Sequence, residues 1–159
     1  FWSCSYFKGY TEQIVNTIQI STTQNKKEIE FENYKINFQK MNKKMFFGYK
    51  KVKYGKFFIF LAEDEKLIID SIHKENLMGN FDVVIKIIKN AIINEGKLIG
   101  YLKRMSNKSL IKKIGFLIEK YRDIDISKDI EYKDKNIIAL YKYIKGTEIN
   151  KKRQVKHDL

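Results

Sequence analysis

Phe57-Phe58-Ile59-Phe60-Leu61-Ala62-Glu63-Asp64-Glu65-Lys66-Leu67-Ile68-Ile69-Asp70-Ser71-Ile72 carries the change of period that decides the fold. Residues 57–61 are apolar without interruption and rich in aromatics, which reads as a short strand buried on both faces. At Ala62 the pattern changes. Glu63, Asp64 and Glu65 place three carboxylates where a helix N-terminus, with its outward-pointing N–H groups, favours negative charge. Leu67, Ile68, Ser71 and Ile72 then recur at helical spacing. The stretch predicts strand, tight turn and amphipathic helix. The chain before Ala62 reads as sheet and the chain after it as helix. The expected class is therefore α+β, an N-terminal antiparallel β meander packed against a C-terminal group of three or four helices.

Working outward, residues 1–8 read as the end of a helix, with Gly9 at the left-handed position beyond it and Tyr10 packing back. Residues 17–23 alternate and are β-branched, a strand. Ile29 and Phe31 alternate with glutamates, and Tyr34, Ile36 and Phe38 with Lys35 and Asn37. Asn33 breaks the register between the two runs. Further strand is predicted through residues 45–47 and at Val52 and Tyr54, with Gly48 as a bulge and Tyr54-Gly55-Lys56 as a tight turn. Downstream, Asn80 is placed to cap a helix carrying Val84, Ile87 and Ile88. A short helix over 97–105, a second cap at Ser106-Asn107 and a helix to about Tyr121 complete the helical half. The domain is expected to end near residue 122. Residues 123–159 read as a loop, a last strand over 137–144 and a basic tail.

The 159 residues suit one domain with a real core; 43% are hydrophobic and 32% charged, as in a folded soluble chain. No apolar run approaches the ~20 residues of a membrane span, so neither a membrane partner nor a signal peptide is expected and the predicted compartment is the cytoplasm. A single cysteine, Cys4, excludes an internal disulfide and a cysteine-cluster metal site. The first residue is not Met and Phe1-Trp2 reads as mid-helix, so the expectation is a fragment lacking an N-terminal part. A formal charge of +13 and a pI near 9.6 favour an anionic partner, although a lysine-rich, proline-free composition also fits codon drift.

Lysine is unevenly spread. Residues 24–60 hold ten lysines, Lys50, Lys51 and Lys53 among them, against Glu28, Glu30 and Glu32. Arg104, Lys108, Lys112 and Lys113 form a second group at the start of the last helix. One reading is a solvated face; the other is a surface for phosphate or acidic protein. Tyr34, Phe46, Phe47, Tyr49 and Tyr54 interleave with the first group and suit either base stacking or sheet core. Asp64 and Lys66 mimic the carboxylate-x-lysine half-site of metal-dependent nucleases, which would need Glu28, Glu30 or Glu32 as second carboxylate. The competing reading is an acid-rich helix start. His73 reads as a helix-end cation and Cys4 as a small buried residue. No catalytic constellation, metal site or cofactor is predicted.

Three stretches together resemble the C-terminal domain of AbiEi-type antitoxins. Residues 3–13 and the strand after them are similar to the family's small-residue helix end and Gly-Leu-Thr-Glu-Gln turn. Ala62-Glu63-Asp64-Glu65-Lys66 with Asp70 resembles its Ala-x-x-Glu-Lys run ending in Asp. Arg104-Met105-Ser106-Asn107 through Lys112-Lys113-Ile114-Gly115-Phe116-Leu117 resembles its basic helix with Lys-Arg-x-Gly-Tyr-Leu. Val15 stands near a frequent family proline, Lys113 replaces an arginine, and the chain after Asp123 matches poorly.

The resemblance implies a non-catalytic antitoxin and transcriptional autoregulator of a type IV toxin–antitoxin system, used in abortive infection and viral defence. Family members bind promoter DNA mainly through an N-terminal winged helix-turn-helix, absent here, and counter a nucleotidyltransferase-type toxin, in several cases without a stable complex. By position, Arg104, Lys108, Lys112 and Lys113 become the expected contact surface, with Lys50, Lys51 and Lys53 beside them. Glu65, Lys66 and Asp70 become a structural strand–helix junction. Two alternatives stand next to this: a nuclease-like enzyme using Asp64 and Lys66, and a plain nucleic-acid-binding module.

Overall fold

The computed structural model describes residues 1–130. The predicted last strand and basic tail lie outside them. Helix α1 (Trp2–Phe7) is followed by strands β1 (Thr17–Thr22), β2 (Ile29–Phe31), β3 (Tyr34–Lys40), β4 (Tyr49–Tyr54) and β5 (Phe57–Ala62). Helices α2 (Asp64–His73), α3 (Phe81–Asn90), α4 (Glu95–Met105) and α5 (Lys108–Arg122) complete the described chain. After α1 the five strands precede the four longer helices: the fold is α+β, and the change of period at Ala62 is its hinge. No described helix is long and apolar enough to cross a membrane.

The strands form two small sheets, ordered β1-β3-β2 and β4-β5. In one respect they depart from an antiparallel meander. β3 lies between β1 and β2, antiparallel to β2 but parallel to β1, with Thr17 opposite Lys35 and Thr22 opposite Lys40. The short β2 makes this possible: it reverses the chain so that β3 re-enters beside β1 in the same direction. The reversal at Glu32-Asn33 needs a left-handed residue, and Glu32 supplies it at φ 52°.

A second departure concerns residues 57–61. They do form a strand, but Phe57, Phe58 and Phe60 are 74%, 60% and 71% exposed. A two-stranded hairpin has no layer to cover both faces, and no later described segment adds a strand to it. The core sits among the helices instead. Leu67, Ile68, Ile69 and Ile72 of α2 pack with the apolar stripes of α3, α4 and α5, most of them with no exposed surface. Each such side chain removed from water contributes about 1.5–3 kcal/mol. Asn80, Asn94 and Asn107 start α3, α4 and α5 by accepting from the N–H of Val83, Lys97 and Leu110 at 3.1, 2.9 and 3.1 Å. Residues 123–130, beyond α5, form no further helix or strand, yet Ile126 and Ile130 are buried in the same core.

Helix α1 is pinned to the first sheet through Gln19. Its Oε1 accepts from Trp2 N at 2.9 Å, its backbone N–H donates to the Ser3 hydroxyl at 3.0 Å, and its amide donates to the Leu77 carbonyl at 3.0 Å.

Gly48, just before β4, has φ 73°, and a Cβ there would stand 2.9 Å from Lys66 Cβ and 3.0 Å from the Tyr101 ring. Gly55, in the β4–β5 turn, has φ 58° but open space around it. Replacement of Gly55 by alanine should therefore cost only the left-handed backbone penalty of about 1–2 kcal/mol. Gly48→Ala should cost more, through displacement of α2 as well. Urea midpoints of the two variants check this, and equal losses would refute the close approach.

Candidate functional site

Helix α2 is enclosed from Glu65 to Ile72, so its polar side chains must find partners inside the protein. They do so at its first turn. Glu63, the residue before the helix, accepts from the Tyr101 hydroxyl and from Lys97 Nζ at 3.0 Å. Asp64 is bound by the Lys8 ammonium and the Tyr10 hydroxyl, and accepts from Ile92 N–H at 3.1 Å. Glu65 accepts from Asn94 N–H at 2.8 Å. Three adjacent carboxylates thus tie α2 to α1, to the α3–α4 loop and to α4. One turn on, Lys66 and Asp70 form an ion pair with exposures of 0% and 3%. Phe47 covers the ammonium at 4.9 Å from its ring centre, and the Arg104 guanidinium lies over the same ring at 4.1 Å.

These contacts set the titration of the junction. The Tyr101 and Lys97 bonds hold Glu63 below its usual range. Burial alone would raise Asp64, but Lys8 outweighs it and the carboxyl is held low. Burial pushes the Tyr101 phenol up to about 12, reinforced by its bond to Glu63. For the enclosed pair, burial pushes Asp70 up and Lys66 down, each opposed by the other's charge. Burial, then the charge of Lys74, lowers the His73 pKa, which works against the helix-end cation expected of it.

Of the residues singled out in the sequence, Glu65, Lys66 and Asp70 therefore lie inside the molecule. Asp64 and Lys66 do not act side by side: the first is held by Lys8 and the second turns inward to Asp70. Glu28, Glu30 and Glu32 stand at or beside β2 in the other sheet, all exposed, with Glu28 paired to Lys35 at 2.6 Å. Among the described residues, no group of His, Cys, Asp and Glu is arranged to hold a metal ion.

The cationic residues have the opposite placement. Lys50, Lys51 and Lys53 are exposed along β4, Arg104 is exposed in the last turn of α4, and Lys108 is exposed at the first residue of α5. Lys112 and Lys113 are half-buried further along α5. Phe47 links two of these regions, since it carries Arg104 on its ring and stands just before β4. Of the interleaved aromatics, Phe47 is core, Tyr49 is half-buried, and Tyr34, Phe46 and Tyr54 are exposed.

Two features escaped sequence reasoning. Arg122 Nη1 donates to the carbonyls of Ile88, Lys89 and Ala91 at 3.1, 3.0 and 2.8 Å, closing the C-terminal end of α3. No local pattern announces a contact made across 31–34 residues. The exposure of Phe58 and Phe60 was the other. The signal for it was the two-residue turn before β5, which makes β4 and β5 a hairpin.

Compared with models of known protein families the chain matches none, and no curated protein gives a significant match.

The junction makes two outcomes measurable. Glu63 and Asp64 have folded-state pKa values below their ordinary 4.5 and 3.8, so their stabilisation is full above those values and is lost as pH falls through the lower folded ones. Glu63→Gln and Asp64→Asn should each flatten the acid limb of a stability–pH curve; an unchanged limb would refute the linkage. Asp70→Ala strands the Lys66 charge in the core and should cost about 3–5 kcal/mol, whereas Lys66→Met with Asp70→Leu should recover most of that loss. Denaturant unfolding of the single and double variants measures it.

Proposed function

We propose that this chain is the non-catalytic effector domain of an antitoxin and transcriptional autoregulator of a type IV toxin–antitoxin system, working in the cytoplasm through a basic surface. The observation that carries this reading is the separation of charge. Glu63, Asp64, Glu65 and Asp70 are engaged with internal partners, while Lys50, Lys51, Lys53, Arg104 and Lys108 face outward on regular elements. An excess of positive charge is thereby presented to an anionic partner. The three stretches that resemble the antitoxin family fall on α1 and β1, on the β5–α2 junction, and on the α4–α5 connection. The partners in this reading are promoter DNA, engaged mainly by an N-terminal winged helix-turn-helix, and a nucleotidyltransferase-type toxin as functional counterpart. The nuclease alternative draws no support from the geometry, because Lys66 is sealed against Asp70 and Asp64 is held by Lys8.

Co-expression of the chain with the product of the neighbouring gene tests this by growth. Rescue is expected, and the double charge reversal Lys108→Glu with Lys113→Glu should abolish it. At Lys108 an acidic residue suits the start of α5, so the loss should not come from unfolding there; circular dichroism checks it. A folded chain that fails to rescue, or a reversal that leaves rescue intact, overturns respectively the function or the surface.

A further inference from the structure

Residues directly opposite each other in an antiparallel pair project to the same side of the sheet. In the β4–β5 hairpin, Lys51 is opposite Phe60 and Lys53 is opposite Phe58. One face of the ribbon therefore carries two lysines and two phenylalanines in a square, all four exposed. Lys51 Nζ stands 4.5 Å from the Phe58 ring centre, so cation and ring are already in register. The other face has half-buried Val52, Ile59 and Leu61, with Tyr54 edge-on to Phe7 of α1 at 5.2 Å. At the core end the first face is closed by half-buried Tyr49 opposite buried Ala62, and beyond them Lys51, Lys53, Phe58 and Phe60 stay open, while the second face also shows Lys50 and Phe57.

Phenylalanine rings exposed by 60% and 71% lose the stabilisation that burial would give, which marks the patch as a contact surface. The accompanying charge decides what fits. A second copy packed face to face would bring lysine against lysine. The chain's own residues 131–159 carry eight Lys and Arg against four Asp and Glu, so charge does not favour them either. An acidic protein surface would match the lysines but not the rings. Duplex DNA presents phosphates to the lysines but keeps its base faces stacked, leaving the rings only groove edges to touch. A single strand presents both parts of the match, base faces for the rings and phosphates for the ammonium groups. Phe58 and Phe60 are two residues apart, about 7 Å along the strand, a spacing that suits successive splayed bases.

We propose that this face of the β4–β5 hairpin binds single-stranded nucleic acid, Phe58 and Phe60 stacking on neighbouring bases while Lys51 and Lys53 hold the phosphates. The site shares Lys51 and Lys53 with the basic surface of the antitoxin reading, but it is argued from Phe58 and Phe60 and does not rest on that reading.

Fluorescence anisotropy of the full chain, with labelled oligo-dT and oligo-U of about eight nucleotides, tests it. An abasic strand and a duplex of the same length serve as comparisons. Both single strands should bind, and a tighter oligo-U would identify RNA as the source. The abasic strand should bind at least about tenfold more weakly, because stacking is removed. Phe58→Ala with Phe60→Ala should lower single-strand affinity about tenfold per ring, with an unchanged circular dichroism spectrum since both rings are exposed. Lys51→Gln with Lys53→Gln should reduce the salt slope by about 1.4. Equal binding of the abasic strand or of the duplex would overturn the proposal. So would an unaffected phenylalanine variant, absence of binding at low salt, or self-association that the phenylalanine substitutions abolish.

Discussion

The burial of a charged turn at the start of α2 is the constraint on which the rest of this structure depends. A helix enclosed over most of its length would ordinarily be apolar all round, but this one carries Glu65, Lys66, Asp70 and Ser71 inside. Each has to be satisfied without water. Glu65 reaches the backbone of the α3–α4 loop, Lys66 and Asp70 neutralise one another, and Ser71 donates to the Ile68 carbonyl. Such arrangements are poor sources of net stability but strict about geometry, because a shift that broke any of them would leave a charge or donor stranded. The packing of α1, the loop before β4, and α4 comes from that strictness. Phe47 has to lie over Lys66, Gly48 has to be a glycine, and Tyr101 has to meet Glu63.

From the same constraint comes the outward face. A chain with a strong lysine excess retains some carboxylates that could neutralise its surface, yet the acidic cluster at α2 is turned to internal partners. The strands add a second asymmetry. They contribute little to the core and instead form two thin sheets, one pinned through Gln19 and one through the contact of Tyr54 with Phe7. Regular backbone that is not needed to hold the core is free to present side chains.

Much of this was legible in the sequence, and the reasons for success and failure are physical. The turn from strand to helix at Ala62 was marked by a change of period and by acidic residues at a helix start, both local signals. Asn80 and Asn107 announced helix starts through capping chemistry, which is local too. The parallel placement of β1 beside β3 was not visible, since strand order is set by pairing across many residues and both orders have the same alternation. An apolar run of strand length reads as doubly buried because periodicity reports amphipathicity and not the number of layers, and among the described residues no layer covers Phe58 and Phe60. At the junction, the sequence offered Asp64 and Lys66 as neighbours. On a helix, two positions apart means opposite sides, and the partner of Lys66 is the residue four further on.

The anchoring of Arg122 and the burial of Ile126 and Ile130 bear on where the folding unit ends. Helix α5 stops at Arg122, and a cut there would look harmless on an element diagram. It would nonetheless empty two sites in the helical core, and a cut slightly earlier would leave three carbonyls at the end of α3 without their donor. A shortened version that keeps this core intact therefore has to run through Ile130, eight residues beyond the last described helix.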